Sequence, residues 1–129
     1  MGYSLAYRNA GKGGERWAAA YLQSLGYRVL EANYRSRHRE IDLIVEKEGI
    51  LVFVEVKTRA SNALLAAPCA VDWRKQMFLY SAASRYVRQH ALTMDIRFDI
   101  IWVECRRQGR QIFYRVVEHI ENAFAPFGG

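Results

Sequence analysis

The sequence predicts an α/β domain built on a mixed sheet of about five strands flanked by helices. Three observations point there. Two segments carry apolar residues at helical period, five carry them at strand period, and the order is helix, three strands, helix, two strands. A chain of 129 residues suits one domain with one core, its first dozen residues a flexible lead-in.

The first helix is expected to open near Gly14 and stop at Gly26, with Glu15, Ala18, Leu22 and Leu25 on one stripe. Tyr27 to Tyr34 reads as a strand, followed by the basic connection Arg35-Ser36-Arg37-His38-Arg39. From Glu40 to Glu46 the chain alternates: Ile41, Leu43 and Val45 point one way, Glu40, Asp42 and Ile44 the other. Lys47-Glu48-Gly49 supplies a hairpin turn into the strand Ile50 to Arg59. There Ile50, Val52, Val54 and Val56 share one face, and Leu51, Phe53, Glu55 and Lys57 the other.

Ala60 to Pro68 reads as a loop. Asp72 to His90 is the strongest helix, capped by Asp72, with Trp73, Met77, Tyr80, Ser84 and Val87 as its stripe. Ile96 to Arg106 and Gln111 to Val117 form a second hairpin around Gln108-Gly109, and Glu118 to Phe124 is expected to close the fold as a short helix.

Nineteen Lys and Arg against thirteen Asp and Glu leave a net charge of +6, which favours polyanionic partners. Cys69 and Cys105 lie far apart and His38, His90 and His119 lack zinc-site spacing, so two reduced, mostly buried thiols are expected. The first ten residues hold no apolar segment behind a basic start, and no apolar run approaches the length of a membrane span. The expected setting is soluble, cytoplasmic and away from membranes. Gly11-Lys12-Gly13-Gly14 lacks the spacing of a phosphate-binding P-loop.

The chemistry gathers at Glu55-Val56-Lys57. A strand this apolar ordinarily fills its inward positions with Val, Ile or Leu, yet here a carboxylate and an ammonium sit two apart on one face. A Glu–Lys pair on a half-solvated face accounts for that much. The hairpin partner adds Asp42, with Glu40, and carboxylates brought together repel unless a cation lies between them. Hard oxygen ligands suit Mg²⁺ or Mn²⁺. Lys57 then has the role of orienting or deprotonating an attacking water, and the matching reaction is hydrolysis of a phosphodiester.

Asp42 followed by Glu55-Val56-Lys57 resembles the D…(D/E)-x-K core of the PD-(D/E)XK nuclease superfamily. A closer resemblance, over most of the chain, is to the YraN family of uncharacterised bacterial proteins. It rests on Gly14-Glu15, Gly26-Tyr27, Glu40-Ile41-Asp42-Leu43-Ile44, Phe53-Val54-Glu55-Val56-Lys57, Ala70-Val71 with Lys75, and Arg97-Phe98-Asp99. One departure is Arg39, where the family usually has Gly, which puts a side chain beside the acidic cluster.

The resemblance implies a restriction-endonuclease-like core similar to Holliday-junction resolvases, a homodimer, and a metal-dependent endonuclease acting on DNA ahead of RNA. Asp42 and Glu55, with the Val56 carbonyl, would hold Mg²⁺ or Mn²⁺. Glu15 and Glu40 are supporting candidates, Glu15 being equally explained by the dipole of its helix. Gln76 and Tyr80 match a Q-x-x-x-Y element of some superfamily members, though Tyr80 also fits the core stripe. Arg35, Arg37, Arg39, Arg59 and Lys75 are candidates for phosphate contacts, against the plainer reading of a solvated charge run. Two alternatives stay open: a nucleic-acid-binding domain that does not cut, and an interaction module whose basic face meets an acidic protein.

Overall fold

A computed structural model describes residues 13–37, 39–61 and 72–124. The elements are α1 (Gly13–Ser24), β1 (Arg28–Ser36), β2 (Arg39–Lys47), β3 (Ile50–Ala60), α2 (Trp73–Gln89), β4 (Asp95–Gln108) and β5 (Gln111–Ile120). The five strands form one mixed sheet in sequence order. Neighbours run antiparallel except β3 and β4, which are parallel across the α2 connection. This is the predicted α/β architecture.

Two apolar layers cover the two faces. On one, Ala18, Ala19 and Leu22 of α1 pack on Leu43, Val45, Val52, Val54 and Ile101. On the other, Leu79, Ala82, Ala83 and Tyr86 of α2 pack on Ile41, Ile44, Leu51, Phe53 and Phe98. Phe53 is fully buried at the centre of the second layer, where truncation to Ala costs about 3–5 kcal/mol.

Helix α1 ends as its glycine predicts. Gly26 takes φ +96°, its N–H donates to the Gln23 carbonyl and that of Tyr27 to Leu22, and Tyr27 and Leu22 then meet in the core. Leu25 leaves the expected stripe and is exposed, because the chain is already turning there. Asp72 caps α2, its carboxylate accepting from the Lys75 backbone N–H at 2.9 Å.

Three expectations are corrected. The face of α2 that meets the sheet is Leu79–Ala82–Ala83–Tyr86, with Tyr80 and Val87 at its margin. Trp73, Met77 and Ser84 lie on the solvent side, since small alanines let the helix sit close and bulk on the other stripe is not needed. Residues 118–120 continue β5, and a turn follows at Glu121 and Asn122 in place of a closing helix. Ile41 joins Ile44 on the α2 face, leaving Leu43 and Val45 on the α1 face, so strict alternation breaks at Asp42.

That break has a visible cause. Rungs between β2 and β3 run from Lys47↔Ile50 to Leu43↔Val54 and stop, while β3 continues beside β4 to Ala60. The sheet therefore splits at Asp42. On the other side of β2, Asn33 takes a left-handed φ of 51° between the rungs Ala32↔Leu43 and Tyr34↔Ile41. The lead-in, His38, Cys69, Ala70-Val71 and most of the expected Ala60–Pro68 loop lie outside the described residues; Cys105 is a half-buried free thiol.

Candidate active site

The split between β2 and β3 is where the predicted carboxylates meet. Extending the hairpin register by one residue brings Asp42 opposite Glu55. Asp42 substitutes for the missing rung: its Oδ2 accepts the Val56 N–H at 2.8 Å. Glu55 projects to the α2 side, where the Lys75 ammonium stands 3.5 Å from Oε1. Glu15 arrives from α1, buried and receiving the Asn33 amide at 2.6 Å, within hydrogen-bonding reach of Asp42.

Glu15 reaches this point because Gly14 lets α1 lie against β3. A Cβ on Gly14 would stand 2.3 Å from the Thr58 hydroxyl oxygen, so any side chain there would have to displace Thr58. Glu15 is thus a member of the cluster. Glu40 is not drawn in: it is the second residue of β2, opposite Arg35, and the charges bearing most on Asp42 and Glu55 do not include it.

The electrostatics of the cluster are unfavourable for anions. Burial pushes the Asp42 carboxyl up to about 7; the Val56 N–H and Lys75 oppose this and Glu15 reinforces it. Burial, and then the charge of Asp42, also raise Glu55, against the pull of Lys75 and Lys57. Glu55 Oε1 is buried and makes no hydrogen bond among the described residues; the Lys75 contact at 3.5 Å is an ion pair longer than a hydrogen bond of ordinary strength. No group of three or more metal-ligating side chains converges among the described residues, so the candidate is a two-carboxylate site with Glu15 beside it.

Cations ring this centre. Lys57 and Arg59 lie over the Trp102 ring at 6.0 and 5.4 Å from its centroid, and Arg39 and Lys75 share the Phe78 ring at 5.7 and 5.9 Å. Arg59 is also 3.8 Å from Glu104. Arg35 and Arg37 are exposed at the β1–β2 turn, Arg37 with φ 58°. Trp102 and Phe78 were not singled out in the sequence. Trp102 comes beside Lys57 through the parallel β3–β4 register, a long-range pairing that no local stretch of sequence signals. Gln76 and Tyr80 lie on α2 at the margin of the core, and Tyr80 packs edge-on against Phe98.

A second charged cluster also escaped sequence reading. Arg97, Asp99, His119, Tyr21 and Tyr27 interlock between α1, β4 and β5. Its carboxylate is completely paired, which marks it as structural. A cavity of about 540 Å³ lined by Ser61, Cys105, Phe113 and Tyr114 opens at the far end of β4 and β5; its Glu104 is already held by Arg115 at 3.0 Å.

With this geometry in place, comparison with known sequences gives the family. The uncharacterised protein family UPF0102 matches residues 14–103. The chain belongs to that family. It is similar to a UPF0102 protein of Alkaliphilus metalliredigens, 40% identical over 119 residues covering 91% of this chain and 98% of the relative. A Chlorobium chlorochromatii member is 44% identical over 115 residues, covering 88% and 89%. One from Flavobacterium psychrophilum is 40% identical over 121 residues, covering 94% and 98%. The matched span contains the whole acidic cluster, from Glu15 through Glu55 to Lys75. Among the described residues no helix is long and apolar enough to cross a membrane.

Proposed function

We propose that this protein is a divalent-metal-dependent nuclease of the PD-(D/E)XK type, hydrolysing phosphodiester bonds in DNA or RNA, structured or branched DNA being one candidate substrate. The observation that carries the reading is the unmet charge at the sheet split. A buried Glu55 oxygen without a hydrogen bond lies beside an Asp42 carboxyl pushed up to about 7. A buried carboxylate pair in that condition wants a cation, and one or two carboxylates are what Mg²⁺ or Mn²⁺ requires of a protein.

Asp42 and Glu55 would hold the ion. The Val56 carbonyl is a third candidate, because an extended residue presents its N–H and C=O to the same edge and the Val56 N–H already faces Asp42. Bound there, Mg²⁺ or Mn²⁺ supplies Lewis-acid stabilisation of the phosphate and acidifies water. Lys57, two residues along β3 from Glu55 on the same face, orients the attacking water or takes its proton. Glu15, beside Asp42, adds negative charge that a bound cation would offset. Lys75 faces the site, and Arg39, which shares the Phe78 ring with it, adds positive charge alongside for the flanking phosphates.

The test is incubation of the full chain with a panel of single-stranded, duplex and branched DNA and RNA, with Mn²⁺ and with chelator. Wild type should cut in Mn²⁺ alone. Asp42→Asn and Lys57→Ala should both lose cleavage, and Asp42→Asn should bind nucleic acid at least as well as wild type in chelator, since it removes a charge that repels phosphate. Salt-sensitive binding without any cleavage would leave a nucleic-acid-binding domain and remove the enzyme.

A further inference from the structure

We propose that the Lys75 ammonium is a built-in counter-cation: it holds Glu55 in the metal-free protein and passes to a substrate phosphate when a divalent ion takes its place. This rests on the nuclease reading in one respect, that a metal binds at Asp42 and Glu55.

The ion pair itself is the first reason. Lys75 Nζ is 3.5 Å from Glu55 Oε1, yet that oxygen is buried and makes no hydrogen bond among the described residues. A single long contact, with no second partner on that oxygen among the described residues, yields readily to an ion of twice the charge in the same place. In a permanent structural pair the oxygens are fully bonded, as they are at Asp99.

The second reason is that Lys75 has somewhere to go. Its backbone is pinned by the Asp72 cap, while its four-carbon stem keeps its freedom. The ammonium already leans on the Phe78 ring at 5.9 Å, which also carries Arg39 at 5.7 Å. Two cations on one aromatic ring repel each other, and an anion seated beside both relieves that repulsion. Between Trp73 and Gln89, α2 carries Arg74, Lys75, Arg85 and Arg88 and no carboxylate; the one acid at its start, the Asp72 cap, already receives the Lys75 backbone N–H through Oδ1. A phosphate beside the site is the natural recipient. Metal and nucleic acid then bind with positive coupling, each raising the affinity for the other.

The experiment reads metal affinity without catalysis. Free Mn²⁺ is followed by electron paramagnetic resonance during titration of chelator-stripped full chain, with no nucleic acid present. Lys75→Gln should bind Mn²⁺ on the order of threefold to tenfold more tightly than wild type, because the competing cation is gone. Arg39→Gln removes the same charge from the same ring but touches no carboxylate of the site, and should shift affinity by less than about twofold. In a second arm, Ca²⁺ should raise wild-type affinity for a short labelled oligonucleotide, and Lys75→Gln should lose most of that rise. Equal tightening in both variants, unchanged Mn²⁺ affinity in Lys75→Gln, or a full Ca²⁺-dependent gain in Lys75→Gln overturns the handover. Wild type that binds no Mn²⁺ overturns both this and the metal reading. Wild type that shows the handover but cuts nothing overturns only the nuclease.

Discussion

Asp99 and Asp42 are both shielded carboxylates beside α1, and they have met opposite fates. Asp99 Oδ1 accepts Arg97 Nε at 2.9 Å and the Asn122 backbone N–H at 3.0 Å; Oδ2 accepts Arg97 at 2.9 Å and faces His119 at 2.7 Å. Burial, the largest influence, pushes this carboxyl up, but His119, Arg97 and the Asn122 N–H outweigh it and hold it below the usual range. Asp42 has one N–H and an acidic neighbour, and ends near 7. A fold tolerates a buried anion when the partners are built in. Where they are withheld, the unmet charge is the feature on which the proposed metal site rests.

The comparison is open to attack by mutation, and the largest effect belongs to the satisfied cluster. Asp99→Asn leaves Arg97 and His119 without their anion and should cost about 3–5 kcal/mol in denaturant unfolding. A neutral result there would break the contrast. Next in size, and opposite in sign, Asp42→Asn should stabilise the metal-free protein by about 1–3 kcal/mol at pH 8, because Asn keeps an acceptor for the Val56 N–H and drops the charge.

The pH profiles should diverge accordingly. Asp42 has a folded pKa above its unfolded value, so its contribution is fully present below about pH 4 and is lost as pH rises through about 7. Asp99 is depressed, so its contribution is present above the ordinary Asp range and is lost as pH falls below it. In chelator, the stability difference between wild type and Asp42→Asn should shrink from pH 8 to pH 5, and that between wild type and Asp99→Asn should not. The smallest expected effect is Tyr21→Phe, which removes the hydroxyl 3.0 Å from His119 Nδ1 and should cost about 0.5–1.5 kcal/mol without changing Mn²⁺ affinity.

Much of this was legible in the chain. The strand alternation of Ile50 to Lys57 and the Gly49 turn put Asp42 across from Glu55, because a hairpin register is local geometry. Glu15 stood out on an otherwise apolar stripe but was explained equally well by its helix dipole; the structure brings it beside Asp42, and its Gly14 neighbour lets α1 come close enough. The flip at Asp42 was not readable, since it follows from β3 leaving β2 to stay with β4, a long-range pairing. The α2 stripe misled for a related reason: Trp73 and Met77 have the right period, but three small or medium side chains, Ala82, Ala83 and Leu79, set the face that meets the sheet. The Asp99 cluster draws on α1, β4 and β5, so no single window of sequence contains it.

The central claim is that the charge missing at Asp42 and Glu55 is supplied by a divalent cation. Its most direct test is Mn²⁺ titration of wild type and Asp42→Asn at pH 6 and pH 8. Wild type should bind Mn²⁺ about tenfold more tightly at pH 8 than at pH 6, as the proton leaves a carboxyl titrating near 7, and Asp42→Asn should bind weakly and equally at both. Binding that is absent, or that persists in Asp42→Asn with the same pH response, would contradict the account.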